Sequence, residues 1–323
     1  MNRLTRTLSI TAASLLALTL AACTGSPRPE DAAAHGADGY PVTVTSCGTD
    51  YTYDRAPERV LLGAPGIVRT LDALGVADSA IGYTLSDYAV EGLDEFPNLT
   101  VTSADYTPSR EFLISAQPDL FLSNDEQQLL GDGAASVDDL GAIPANLYVL
   151  GDYCVDAPAQ STLDVVYDDI EHLGAIYNVP DSAASLVEEL KARVTAATAP
   201  LSFEADFTAG AVTIFDGKVY ALGGSYYAAI LHALGLTNGF ADLDSNWSEI
   251  TPEAVLASDL DVILVTSPEA DATGAVEAAS ELFANAPAAQ HGRIVAIDDT
   301  AFQSVGVAIV DVIEETAAQL AVR

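Results

Sequence analysis

Positive charge is scarce in this chain. Of 323 residues, 12 are Lys or Arg and 47 are Asp or Glu, a formal net charge of −35. That balance excludes a nucleic-acid binder of the usual kind, which needs a basic surface to meet phosphates. It also opposes a strongly anionic ligand unless local arginines offset the field. The rest of the acidity reads as a solvated surface. Histidine is scarce too. His35, His172, His232 and His291 are widely dispersed, whereas a direct metal-ion binder needs several such ligands to converge. Each of the four reads as structural. No G-x-S-x-G elbow and no H-E-x-x-H segment occurs, so the reading as an extracellular hydrolase has no motif behind it. The expectation is a non-enzyme without a cofactor.

Long apolar runs are missing after residue 20, so the body of the chain offers no membrane span. What precedes is a leader. Arg3 and Arg6 give a basic start, and Leu8 to Leu20 is apolar but short for a mature transmembrane helix. Leu20-Ala21-Ala22-Cys23 looks like a bacterial lipobox, with residues 1–22 removed and Cys23 lipidated. A simple secretory signal is the competing reading. Two acyl chains on Cys23 would anchor the protein stably. Residues 23–40, rich in Gly, Pro, Ala and Asp, read as a tether. Cysteine is nearly absent: beyond Cys23 only Cys47 and Cys154 remain. An even pair in an oxidising compartment predicts a disulfide, against the alternative of two buried thiols. It would close a loop of about 107 residues and contribute about 4–5 kcal/mol on a chain-entropy estimate.

What is present is a repeat. Residues 63–75 read G-A-P-G-I-V-R-T-L-D-A-L-G and residues 223–235 read G-G-S-Y-Y-A-A-I-L-H-A-L-G. A second pair follows: Ser109-Arg110-Glu111 leads into Q-P-D-L-F-L, and Thr251-Pro252-Glu253 into D-L-D-V-I-L. Each half thus runs strand, glycine turn, helix ending at a C′ glycine, then a capped helix into an apolar strand. Strand–helix alternation predicts a mainly parallel α/β sheet in each half. Two such lobes leave a cleft, where small ligands bind preferentially. Further helices are expected at 125–142, broken by Gly131 and Gly133, at Thr162 to Leu173 with Gly174 at its end, at 275–286 and at about 305–321. The longest runs from Asp181 to about Ala199, between Pro180 and Pro200. Its nineteen residues would span about 28 Å. It suits a strut between lobes, although one more packing helix of the first lobe is the alternative.

The lipobox, the P-E-R-V-L start, the A-L-G helix, the Glu-headed helix before Pro-Asp-Leu, the mid-chain helix and the second Glu-headed helix together resemble one family. It is the iron-siderophore and cobalamin substrate-binding proteins of ABC importers. Cys47-Gly48 and Cys154 look like the lipoprotein branch of high-GC Gram-positive bacteria. The resemblance covers the chain from about Val42 onward. It implies two Rossmann-like lobes joined by a single long helix, the helical-backbone type of metal-chelate receptor. The lobes would be residues 41–178 and 201–323, with the backbone helix at 179–200. The implied protein is a lipid-anchored monomer on the extracytoplasmic face of the membrane. It would capture a ferric siderophore and deliver it to an ABC importer permease, with cobalamin or haem as the alternative cargo.

The same resemblance places Glu111 and Glu253 on the lobe tips as permease-docking residues. The plainer reading is that each is a good helix-start residue. Trp247, the sole tryptophan, lies six residues before Glu253 and Tyr106 five residues before Glu111, and both are candidates to hold the ligand from both sides; a core position is the alternative for Trp247. Tyr83, Tyr88, Phe215, Tyr220, Tyr226 and Tyr227 fall near strand ends or glycine turns, where open α/β sheets bind ligands. Arg69 and Arg110 lie near the same rim and could pair with ligand oxygens or with neighbouring carboxylates. With so few cations there, the expected siderophore is a neutral or cationic ferric hydroxamate or mixed-ligand complex.

Overall fold

A run such as Val60-Leu61-Leu62 or Leu120-Phe121-Leu122 has no polar face, so it fits only a strand covered on both sides. The computed structural model places these runs there. It describes residues 39–86, 90, 92–129, 135–143, 145–154, 161–204, 206–243, 247–267, 272–298 and 306–322. The leader, Cys23, most of the tether and Tyr88 lie outside the described residues, as do Gly131 and Gly133.

The described chain starts with an antiparallel hairpin, β1 (Val42–Ser46) and β2 (Thr49–Tyr53). Its turn residues Cys47 and Gly48 both have positive φ, 46° and 74°, the geometry that matches strand twist in two-residue hairpins. Five parallel strands follow: β3 (Val60–Leu62), β4 (Ala80–Tyr83), β5 (Val101–Thr102), β6 (Leu120–Ser123) and β7 (Asn146–Val149). They lie in the order β5-β4-β3-β6-β7, with Val60 opposite Leu120 and Leu62 opposite Leu122. Helices α1 (Val68–Ala73), α2 (Arg110–Ala116) and α3 (Val137–Ala142) connect them. Strand order reverses between β3 and β6, so a crevice opens at the carboxyl ends of those two strands.

Next come α4 (Asp164–Ile176) and α5 (Pro180–Thr198). Gly174 does not end α4. Its Cβ, if it had one, would collide with Ala183 of α5, so this glycine serves close helix–helix approach. The left-handed residue at the turn is Asn178, φ 56°. The other end of α5 is tied to the last helix, as Arg193 meets both Asp311 and Glu314 at 2.6 Å.

The second sheet contains β8 (Thr208–Phe215), β9 (Lys218–Ala221), β10 (Thr237–Asn238), β11 (Ser248–Ile250), β12 (Val262–Ser267) and β13 (Ile294–Asp298). Helices α6 (Ser225–Ala233), α7 (Pro252–Ala257), α8 (Ala272–Leu282), α9 (Pro287–Gln290) and α10 (Ala308–Ala321) cover it. Its parallel part has the order β10-β8-β12-β13, matching β4-β3-β6-β7 of the first sheet. The sequence repeat is therefore a topological repeat. Gly75 and Gly235 both take positive φ, 77° and 75°, past the ends of α1 and α6. Ser109 and Thr251 both cap, accepting from the amides of Phe112 and Ala254. The one addition is the antiparallel hairpin β8–β9, continued by β11.

Expected boundaries shift in four places. The segment 125–142 forms a 3₁₀ turn, Glu126–Leu129, and the short α3. The first strand of the second lobe starts at Thr208, four residues before the apolar run that signals it. The helix expected at 275–286 is α8, ending at Leu282, and the last helix starts at Ala308.

One core joins the two halves. Leu61 and Leu122 of the first sheet, Ala211 and Leu264 of the second, and Ile309 and Ile313 of α10 belong to one buried cluster. Each fully buried leucine there contributes about 1.5–3 kcal/mol. Cys47 and Cys154 are bonded, with Cα atoms 5.4 Å apart and a sequence separation of 107. Among the described residues no helix is long and apolar enough to cross a membrane.

Candidate functional site

The crevice predicted by strand order in the first sheet is built from buried polar side chains. Gln128 donates to the carbonyls of Gly63 and Tyr106 at 2.8 and 3.1 Å. Thr84 also donates to the Gly63 carbonyl, at 2.6 Å. Ser123 donates to the Gln128 side-chain carbonyl and accepts from the Asp125 amide at 3.0 Å. These bonds pin the ends of β3, β4 and β6 to one another, and a satisfied buried network of this kind rigidifies its site. Gly63 is required: a Cβ there would strike Gln128 and come within 2.9 Å of the Ser123 Cα.

On that floor sits Asp125, 4% exposed. It accepts from the Tyr106 hydroxyl and from the Gln127 amide at 2.8 Å. Burial pushes its carboxyl above the usual carboxylate range; the two hydrogen bonds pull the other way, and nearby Glu126 adds to the rise. Tyr106 is held protonated, by burial first and by Asp125 second. Burial likewise raises Tyr153, with Asp125 adding to it.

Tyr153 reaches the second lobe. Its ring stacks on Tyr226, centroids 6.1 Å apart and planes 18° apart. Gly151, at φ 70°, gives the Tyr226 ring its room. Tyr226 belongs to the first turn of α6, and both it and Tyr227 are buried. They form the seam between lobes and present little open surface.

The second lobe adds an aromatic face. Cross-strand pairing puts Thr213, Tyr220 and Glu249 on one side of the hairpin sheet, with Phe215 and Lys218. Ile214 and Ile250, on the other side, pack into the second core cluster. The Trp247 ring packs against Tyr220, centroids 5.3 Å apart and planes tilted by 35°. Phe215 is 67% exposed and Trp247 44%, so Trp247 is not a core residue. Phe215 and Trp247 are thus exposed beside the half-buried Tyr220, and clustered apolar surface of this kind marks binding faces.

The two arginines expected at the rim, Arg69 and Arg110, and Lys218 of the hairpin all lie beside carboxylates. Arg110 donates to Asp139 at 2.7 Å, and Lys218 to Glu249 at 2.7 Å. Arg69 is exposed on α1, in a groove with Asp72, Asp94 and Glu95. Tyr83 is half-buried at the end of β4 against the first core. Glu111 and Glu253 are exposed in the first turns of α2 and α7. A separate groove of about 780 Å³, lined by Phe203, Phe207, Asp259 and Arg293 among others, lies at the opposite, amino-terminal ends of β8, β12 and β13. It is remote from both repeated turns.

Two α/β lobes of the same topology, with an aromatic wall and a buried polar floor at their carboxyl ends, define a two-lobed receptor for a small molecule. Residues 60–301 match the family described as periplasmic binding protein, and the chain belongs to that family. Its structure is similar to an ABC-type Fe3+-hydroxamate transport system from Saccharomonospora viridis, at 27% identity and a TM-score of 0.70, over 87% of this chain and 99% of that one. It is similar in fold to the petrobactin-binding protein YclQ from Bacillus subtilis: 17% identity, TM-score 0.68, 88% and 99% covered. The periplasmic heme-binding protein HutB of Vibrio cholerae shares the fold as well: 18% identity, TM-score 0.63, 81% and 98% covered. No curated protein matches the chain.

Asp125, Gln128, Tyr153 and Ser225 of the floor and seam were not legible as site residues. A lone Asp or Gln after a strand carries no motif, and Tyr153 reads as the approach to Cys154. Ser225 alone had a signal: it aligns with Pro65 in the repeat, an exchange of a residue without a donor for one with two.

Proposed function

We propose that this protein is the extracytoplasmic, lipid-anchored substrate-binding component of an ABC importer, that it carries a ferric siderophore between its lobes, and that the siderophore is a neutral or cationic hydroxamate. The observation that carries the cargo class is the commitment of the rim cations. Arg110 and Lys218 are ion-paired to carboxylates and Arg69 lies among three acids. A triscatecholate complex, with its multiple negative charges, would meet a repulsive field. A ferric hydroxamate carries no such charge and presents apolar arms that suit Phe215, Tyr220 and Trp247. The similarity to the Saccharomonospora viridis hydroxamate system points the same way. Lipidation of Cys23, the lobe boundaries, the strut role of α5 and docking through Glu111 and Glu253 belong to the same proposal.

Haem is the second reading, favoured by three tyrosines, Tyr106 on the floor and Tyr153 stacked on Tyr226 at the seam. Native mass spectrometry of the detergent-solubilised full chain against a ferric trihydroxamate, a ferric triscatecholate, haem and cobalamin separates the readings. The expected result is a stoichiometric complex with the trihydroxamate at submicromolar concentration. A complex with haem or the triscatecholate alone would contradict it.

A further inference from the structure

The structure assigns Ser225, at the first turn of α6, the role of a donor subsite that receives a negatively charged oxygen of the cargo. The assignment rests on the hydroxamate reading above, because iron-bound hydroxamates present such oxygens. Ser225 is 2% exposed, and among the described residues its hydroxyl has no hydrogen-bond partner. A buried hydroxyl without a partner carries the cost of its desolvation with nothing in return. A ligand acceptor would supply the return.

The position is suited to an anion on independent grounds. α6 is a nine-residue helix whose N-cap, Gly224, provides no side-chain cap. The amide of Ser225, at the first helical position, has no carbonyl within the helix to bond, and the helix dipole favours negative charge there. The turn follows β9 alongside β8, one of the two strands between which strand order reverses: the amide of Leu222 bonds the carbonyl of Ala211 in β8. Dinucleotide-binding α/β folds place phosphates at the equivalent point. Ser225 also holds φ 47°, a conformation that a residue with a Cβ adopts at a cost. In the first lobe the aligned residue is Pro65, which has neither an N–H nor a hydroxyl. The donors are therefore confined to the second lobe. The next residue, Tyr226, stacks on Tyr153, so the subsite lies at the interlobe seam.

The test compares wild type with Ser225→Ala and Ser225→Gly, each as the detergent-solubilised full chain. Thermal denaturation without ligand and titration with a ferric trihydroxamate are both read. Removing an unpartnered buried hydroxyl should leave the ligand-free Tm unchanged or higher, and glycine should raise it further by relieving the backbone. Affinity for the trihydroxamate should fall at least about tenfold in both variants. A purely structural serine would not separate the two readouts. Binding by both variants within about twofold of wild type, well inside the tenfold step of 1.4 kcal/mol, would overturn the assignment. If wild type itself ignored the trihydroxamate, the cargo reading would fall and the assignment with it.

Discussion

Asp125 is held by two neutral donors, the Tyr106 hydroxyl and the Gln127 amide, at the point where the first sheet's strand order reverses. Because burial raises its folded-state pKa, the native state keeps a proton that the unfolded chain has already released. Stability therefore falls as pH rises from the ordinary carboxylate range up to the raised value. Asp125→Asn keeps an acceptor for Tyr106 but lacks that titration. Its stability relative to wild type should climb with pH across this window and then level off, measured by urea denaturation at a series of pH values. A difference independent of pH would contradict the account. Glu314 works with the opposite sign. The Arg193 hydrogen bond holds its carboxyl below the usual range, so what it contributes is present at neutral pH and lost on acidification; with its side chain 37% exposed, solvent screening keeps that contribution small.

Elements differ in how plainly they can be read. Ser109 and Thr251 as caps, Pro252 at the first helical position, and Gly75 and Gly235 beyond their helices are local chemistry, and local chemistry is written in the sequence. The 19-residue α5 was legible for the same reason: Pro180 opens it and nothing interrupts its period. Gly174 misled because a glycine near a helix end serves equally for capping or for close packing, and only the position of Ala183 decides. The start of β8 was hidden by Thr208-Ala209-Gly210, small residues that fit the sheet because Phe240 and Leu260 fill the space above Gly210. The disulfide follows from counting cysteines, but its place does not. It ties the turn of the β1–β2 hairpin to the residue after Tyr153. Replacing both cysteines by serine should lower stability by about 4–5 kcal/mol on the chain-entropy estimate, measured by chemical denaturation. Reducing agent should then have no further effect on the double variant. Wild-type stability in the double variant would mean that the cross-link constrains little of the unfolded chain.

At the scale of the whole molecule, the repeat decides the architecture. Each half builds a doubly wound sheet, each sheet opens at its carboxyl end, and the shared core through α10 holds the openings together. Among the described residues, the aromatic face on β8–β9–β11 has no counterpart in the first lobe. Glu111 and Glu253, by contrast, recur at equivalent exposed positions, the arrangement expected of residues that meet a two-fold partner. The double variant Glu111→Ala, Glu253→Ala should bind the ferric complex with unchanged affinity and support much slower iron uptake by cells, read with radiolabelled iron. Uptake at the wild-type rate would remove the docking role. The floor residues escaped sequence reading because their meaning is relational: a carboxylate becomes a site only where strand order brings it to a crevice.

The most direct measurement is an equilibrium titration of the full chain that follows the fluorescence of Trp247, its sole tryptophan, with a ferric trihydroxamate and a ferric triscatecholate in parallel. Saturable quenching by the trihydroxamate at submicromolar concentration, with at least about tenfold weaker response to the triscatecholate, is the predicted result. Tighter binding of the triscatecholate, or saturation by neither, would contradict the assignment of this cleft to a hydroxamate cargo.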